Sequence, residues 1–206
     1  MKKFLKGIAV AAGFAWAAGA TAEIVGDADA GKEKAAACGA CHGADGNSAV
    51  PSFPKIAGQG SKYLIKQMND VMSGLRVIPE MTGQLDSFSE QDVANVAAYF
   101  ASQTIVVSQA KPELIEHGKQ IYRSGIPAKS VAACTACHGP AGQGVELAVF
   151  PALGGQHAEY TGSQLMKFRS GERMNGGDTR IMRSIAARLS DKEIEAVSSY
   201  ISGLYR

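Results

Sequence analysis

Cys-x-x-Cys-His occurs twice in this chain, as Cys38-Gly39-Ala40-Cys41-His42 and as Cys134-Thr135-Ala136-Cys137-His138, and each copy is followed by a glycine, Gly43 or Gly139. With 4 cysteines and 4 histidines in 206 residues, these two segments hold every cysteine and half the histidines. The motifs stand 96 positions apart, and the spacing extends well beyond them. Pro54-Lys55-Ile56-Ala57-Gly58-Gln59 returns 97 positions on as Pro151-Ala152-Leu153-Gly154-Gly155-Gln156. Tyr63, Gln67, Gly74 and Arg76 return at the same offset as Tyr160, Gln164, Gly171 and Arg173. After an insertion around Asn175 to Thr179 the offset is 101, pairing Met81 with Met182, Ser89 with Ser190, and Tyr99 with Tyr200. Self-similarity of this length and constant order makes the chain two homologous copies in tandem.

Between these landmarks the apolar pattern is helical. Ser61 is the expected N-cap of a helix carrying Leu64, Met68, Val71, Met72 and Leu75. Ser190 with Glu193 forms a capping box ahead of Ile194, Val197 and Ile201, and Ser89 caps the matching helix with Val93, Val96, Ala97 and Phe100 as its stripe. Asp29 to Ala37 predicts a short helix before the first motif, and Pro112 opens its counterpart, which runs through Ile121. Gly139 to Gly144 and Asn175 to Asp178 predict loops. No segment alternates with a period of two, so the fold class is all-α. Ser102 to Lys111 contains the linker, giving domains at 23–103 and 112–206 joined by 104–111. The linker is short, so the two copies should sit side by side.

The N-terminus reads differently. Lys2, Lys3 and Lys6 precede an apolar, Ala- and Gly-rich stretch from Gly7 to Ala20, and small residues surround Ala22. This is the layout of a cleaved secretory signal over 1–22, and it removes Trp16 and three of the lysines. The net charge of +2 then becomes −1, which gives no electrostatic support to a nucleic-acid role. Each exported half, of about 90 residues, is small enough to need a metal, disulfides or a large cofactor for stability.

Cysteines three apart lie on one side of a helical turn, and the adjoining histidine can face the same object. Haem meets these demands: two thiols add to its vinyl groups, and the imidazole coordinates iron from one face. The pattern is the attachment signature of c-type haem. A zinc ribbon would place its second cysteine pair about 15–20 residues after the first, whereas Cys41 and Cys134 are 93 positions apart. Disulfides would leave the repeated histidine unexplained, and a thioredoxin-like site wants a strand where an Ala-rich helix stands. Two covalently bound haem c groups are expected, one on Cys38 and Cys41 with His42, the other on Cys134 and Cys137 with His138.

A thioether is the expected partner opposite histidine. Of the methionines after residue 22, only Met81 and Met182 coincide in the repeat, each eight residues before a capping serine. They are the candidate second axial ligands. Met68 and Met72, on the apolar stripe, read as core filler. In the second copy Met182 stands 44 positions after His138, against 39 from His42 to Met81, which makes Met174 a competitor there. A ligating histidine donates its other N–H to a fixed acceptor, and the carbonyls of Pro54 and Pro151 are the candidates. Arg76 and Arg173 are candidates for holding haem propionates or, equally, for solvated positions. His117 and His157 read as surface or helix-packing residues, and Tyr99 and Tyr200 as packing under the haem.

CGACHG and CTACHG in tandem, PKIAGQ and PALGGQ after them, and a methionine ahead of each closing helix resemble the dihaem cytochromes c of the c4 type. The resemblance implies two class I cytochrome c domains related by pseudo-two-fold symmetry. It also implies a periplasmic electron carrier, with no small-molecule substrate, running from a quinol-oxidising complex toward a terminal oxidase and open to peripheral membrane association. Two alternatives stay open: the dihaem subunit of a flavocytochrome c sulfide dehydrogenase, and a dihaem peroxidase, which would need an open iron position. Replacing Cys38 and Cys41 together with Ala should leave a protein whose mass carries one haem. An unchanged mass would rule out that attachment site.

Overall fold

The computed structural model describes residues 24–205. The expected leader at 1–22, with Trp16, lies outside them. Each half opens with a helix, α1 at Ala28–Lys34 and α5 at Ile115–Ser124. Each carries its motif on a single turn, α2 at Gly39–His42 and α6 at Thr135–His138. A longer helix follows, α3 at Ser61–Met72 and α7 at Ala158–Ser170, and each half closes on α4 at Glu90–Ala101 or α9 at Asp191–Ser202. Helix α8, Ile181–Ala186, stands in the second half where the first has only a 3-10 turn at Pro79–Met81. That extra turn of helix and the loop before it take up the insertion read in the repeat. Strand-like pairing among the described residues is confined to two bridges, Ile126↔Val131 and Val145↔Phe150, so the fold is all-α as expected.

The closing helices start where the sequence placed them. Ser89 Oγ accepts the Asp92 N–H while the Asp92 carboxylate accepts the Ser89 N–H, and Ser190 with Glu193 repeats the arrangement. In each half the opening helix crosses the closing one at a glycine. A Cβ at Gly31 would lie 2.0 Å from Asn95 O, and one at Gly118 would lie 2.2 Å from Ala196 O. Only glycine lets these backbones touch.

Two apolar cores lie under these crossings. In the first half Ala35, Leu64, Val96, Ala97 and Phe100 are buried, with Cys38 and Met68 packed against them. In the second half Ile121, Tyr122, Leu165, Ile194 and Val197 are among the buried residues, with Cys134 and Met182 packed against them. The stripe predicted along α3 is correct for Leu64 and Met68 but not at its end. The helix stops at Met72, which is 43% exposed, and Leu75 lies beyond Gly74 at 68% exposed.

Ser61 is the first residue of α3 and not its cap. Gly60 holds the N-cap position, and the helix terminus is closed by Glu146 of the second half, whose Oε1 accepts the Lys62 N–H and the Ser61 hydroxyl, both at 2.8 Å. A carboxylate at that end opposes the helix dipole favourably. The halves also exchange a reciprocal set of amide bonds. Gln156 Oε1 accepts the Lys55 N–H at 2.9 Å and Gln156 Nε2 donates to Lys55 O at 2.7 Å. Gln59 treats Ala152 the same way, at 2.8 and 3.0 Å. Between the halves, Asn47 holds Thr104 O and the Val106 N–H, while Ser202 O and Ser199 Oγ accept the N–H groups of Ser108 and Lys111. The linker is thus tied to both halves. Among the described residues, no helix is long and apolar enough to cross a membrane.

Gly118→Val should destabilise the second half by about 1–3 kcal/mol through overpacking. Gly162→Ala should be neutral or stabilising by up to about 1 kcal/mol, because its Cβ would meet nothing closer than 3.6 Å. Denaturant melts followed in the visible and far-ultraviolet would check both.

Candidate functional site

Both motif turns share one local geometry. Cys38 and Cys134 sit at the N-cap positions of α2 and α6, the histidine is the last helical residue, and the following glycine turns the chain away. Gly43 has φ 80° and ψ 148°, and Gly139 has φ 78° and ψ 159°. Positive φ with extended ψ is essentially reserved for glycine. This explains why each motif reads Cys-His-Gly.

The histidines are held as the sequence suggested. His42 Nδ1–H donates to Pro54 O at 3.0 Å, and His138 Nδ1–H donates to Pro151 O at 2.8 Å. Burial lowers both pKa values, the carbonyl bond opposing it, so each imidazole is held toward the neutral form that metal ligation requires. Nδ1 being committed, Nε2 is the atom left for a ligand. Burial also raises the Cys38 thiol and pushes Cys134 up to about 11. Both thiols are thus drawn toward their neutral form by partly apolar surroundings. No group of three or more His, Cys, Asp or Glu among the described residues is placed to hold a metal ion. The donor set, paired thiols beside one oriented neutral imidazole, fits covalent haem.

Two candidate second ligands stand in different settings. Met182 is the second residue of α8 and packs against the same core as Cys134, while Met174 is 61% exposed in the preceding loop. Met81 closes the 3-10 turn and is half-buried, but the core holding Cys38 takes Met68 and not Met81.

Arg76 and Arg173 are not solvated surface groups. Arg76 is 9% exposed and donates to Gln67 Oε1 at 2.8 Å, and across the halves to Tyr160 OH at 2.8 Å and Gln164 Oε1 at 3.2 Å. Arg173 returns the pattern with Gln164, Tyr63 and Gln67. Burial alone would raise the Tyr63 phenol, but the Arg173 and Arg76 guanidinium groups outweigh it and hold its pKa below the usual value. His157 is likewise an interface residue, with Nε2 donating to Ser48 O of the first half at 2.9 Å. His117 is exposed on α5, as expected.

Tyr99 and Tyr200 are half-buried against the two cores. Tyr99 OH donates to Ala44 O at 2.8 Å, two residues past His42, and Tyr200 OH accepts from Arg123 Nε at 3.1 Å. Sequence reasoning missed Tyr122, fully buried on α5, whose hydroxyl donates to Gly139 O at 2.7 Å directly behind His138. Its signal was an aromatic on the buried face of the opening helix, without a repeat partner to draw notice.

Comparison with known proteins agrees with this geometry. The family model for cytochrome c matches twice, at residues 28–104 and 115–204. Cytochrome c4 of Pseudomonas aeruginosa is 57% identical over 184 residues, spanning 89% of this chain and 92% of the relative. A thiosulfate dehydrogenase electron acceptor of Stutzerimonas stutzeri is 37% identical, spanning 82% of this chain and 80% of the relative. Among solved structures, reduced recombinant cytochrome c4 from Pseudomonas stutzeri matches with a TM-score of 0.87 at 53% identity, covering 88% of this chain and 100% of that one. Two tandem motif turns with oriented histidines, a doubled family match and relatives of this identity lead to one conclusion: the chain belongs to the cytochrome c family, in the cytochrome c4 group of two-domain electron-transfer proteins carrying two covalently bound haem c groups.

Proposed function

We propose that the chain works in the periplasm, carrying electrons from a quinol-oxidising complex toward a terminal oxidase, with one redox centre in each of the domains 23–103 and 112–206. Cys38 and Cys41, and Cys134 and Cys137, attach the two groups. His42 with Met81, and His138 with Met182, would hold the iron of the two groups. Bound haem supplies a one-electron ferric/ferrous couple in each half. The observation that carries the reading is the orientation of both histidines by proline carbonyls, which leaves each Nε2 as a fixed donor, together with a methionine at the matching place in the same half. Thioether ligation opposite histidine leaves no position for oxygen or peroxide, and it favours the ferrous state relative to a second histidine. A dihaem peroxidase would need one of these ligands to leave.

The packing of Met182 against the same core as Cys134 supports its role, and the repeat supports that of Met81. The surroundings of the two methionines differ in charge: Glu80 adjoins Met81, whereas Arg180 and Arg183 flank Met182. Partners reaching the two halves therefore meet different electrostatics. A second reading concerns the donor. The relative named as a thiosulfate dehydrogenase electron acceptor favours reduction by a sulfur-compound dehydrogenase in place of a quinol-oxidising complex.

Met81→Ala and Met182→Ala should each keep both haems attached but abolish the sulfur-to-iron absorption band of one centre. Persistence of both bands in both variants would overturn the ligand assignment. Stopped-flow reduction by quinol-energised membranes, and separately by thiosulfate with its dehydrogenase, followed by reoxidation with a terminal oxidase, distinguishes the two donors. Fast reduction by quinol-energised membranes alone is the expected result.

A further inference from the structure

The glutamines that close the repeated segments PKIAGQ and PALGGQ have no part in attachment or ligation, yet the fold buries both at 7% exposure. Their hydrogen bonds cross between the halves and end on particular peptide groups. Pro54 O and the Lys55 N–H belong to one peptide unit. His42 Nδ1–H donates into the carbonyl end of that unit at 3.0 Å, and Gln156 Oε1 of the other half accepts from its N–H end at 2.9 Å. Pro151 O and the Ala152 N–H form the matching unit in the second half. It is entered by His138 Nδ1–H at 2.8 Å and closed by Gln59 Oε1 of the first half at 2.8 Å.

Each glutamine is itself pinned. Gln59 Oε1 also accepts the Gly60 N–H at 3.0 Å, and Gln156 Oε1 accepts the His157 N–H at 2.9 Å. Their Nε2 groups donate to Ala152 O and Lys55 O. Each side-chain amide is thus fixed by its own backbone while it grips both sides of a residue in the opposite half. The arrangement occurs twice with the same atoms, so it is a built feature and not one fortunate contact.

A peptide group that gives up its N–H to a good acceptor carries more negative charge on its carbonyl oxygen. Bonds in such chains strengthen one another by ~10–30% each, and more weight falls on them in buried surroundings. A stronger acceptor at Nδ1 makes the imidazole a more basic ligand, and outer hydrogen bonding of this kind is one of the levers on a haem's potential. We propose that Gln59 and Gln156 are cross-wired positioning residues: each, through one peptide group, strengthens the Nδ1 hydrogen bond of the other half's haem-ligating histidine and lowers the reduction potential of the other half's haem. The inference rests on the histidine ligation proposed above. It gives the interface a second role, since docking of the halves then contributes to both potentials.

The test uses the full-length holoprotein as wild type, Gln156→Leu, Gln156→Glu and the same pair at Gln59. Midpoints come from spectroelectrochemical titration, with each centre identified by its haem methyl proton resonances. Gln156→Leu should raise the potential of haem 1, bound by Cys38 and Cys41, enough to change the electron distribution between the haems at least threefold, about 28 mV at 59 mV per decade for one electron. Haem 2 should move by less than a third of that, and Gln59→Leu should give the mirror result. In the reduced protein the His42 Nδ1 proton should shift upfield in Gln156→Leu, while that of His138 stays. Gln156→Glu keeps an oxygen acceptor for the Lys55 N–H, so haem 1 should stay at or below its wild-type potential.

A shift confined to the same half, equal shifts at both centres, or a rise in the Glu variant matching that in Leu would overturn the proposal. The Glu arm decides the matter if the Leu variant does not fold. The sulfur-to-iron bands of the wild type report the ligation separately, so that reading and this one fail by different signals.

Discussion

The bond from each histidine Nδ1 to a proline carbonyl is the constraint around which the rest of the molecule is arranged. It commits one ring nitrogen and leaves Nε2 aimed by a fixed acceptor, while burial, against the pull of the carbonyl bond, holds the imidazole toward its neutral form. The carbonyl must therefore be held still. Pro54 and Pro151 restrict the chain on one side of it, and a cross-half glutamine ties down the peptide on the other. Glycines after the histidines let the chain leave the motif turn sharply enough to return twelve or thirteen residues later as that acceptor.

Polar side chains make an extended set of hydrogen bonds between the halves. Tyr63, Gln67 and Arg76 of one half interlock with Tyr160, Gln164 and Arg173 of the other, so that each guanidinium group finds its acceptors partly across the boundary. A buried guanidinium with its partners removed is strongly destabilising, so the halves are specified as partners, not merely stuck together. Glu146 capping α3, His157 reaching Ser48, and a linker tied at both ends act in the same direction.

The two motif turns, the carbonyls that accept from their histidines, the Ser89 cap of α4 and the capping box of α9 were legible in the sequence, because each depends on residues close together in the chain. The interface was not, for the opposite reason. Tyr63, Gln67 and Arg76 were visible as repeat landmarks, but nothing local says that a landmark pairs with its own image in the other copy. Ser61 looked like a cap because the actual cap, Glu146, is 85 residues away. Gly31 and Gly118 play one role in the two helix crossings, yet stand 87 apart where the motifs stand 96 apart. The longer connection from α5 to its motif, folded around the Ile126↔Val131 bridge, hid that correspondence.

On the proposed ligation, both halves hold iron between imidazole and thioether with no position left for an exogenous ligand. Titrating the dithionite-reduced holoprotein with carbon monoxide at neutral pH tests this most directly. No change in the visible spectrum is expected at either centre while the fold, followed by circular dichroism, stays intact. Stoichiometric carbon monoxide binding at both centres with the fold intact would contradict it.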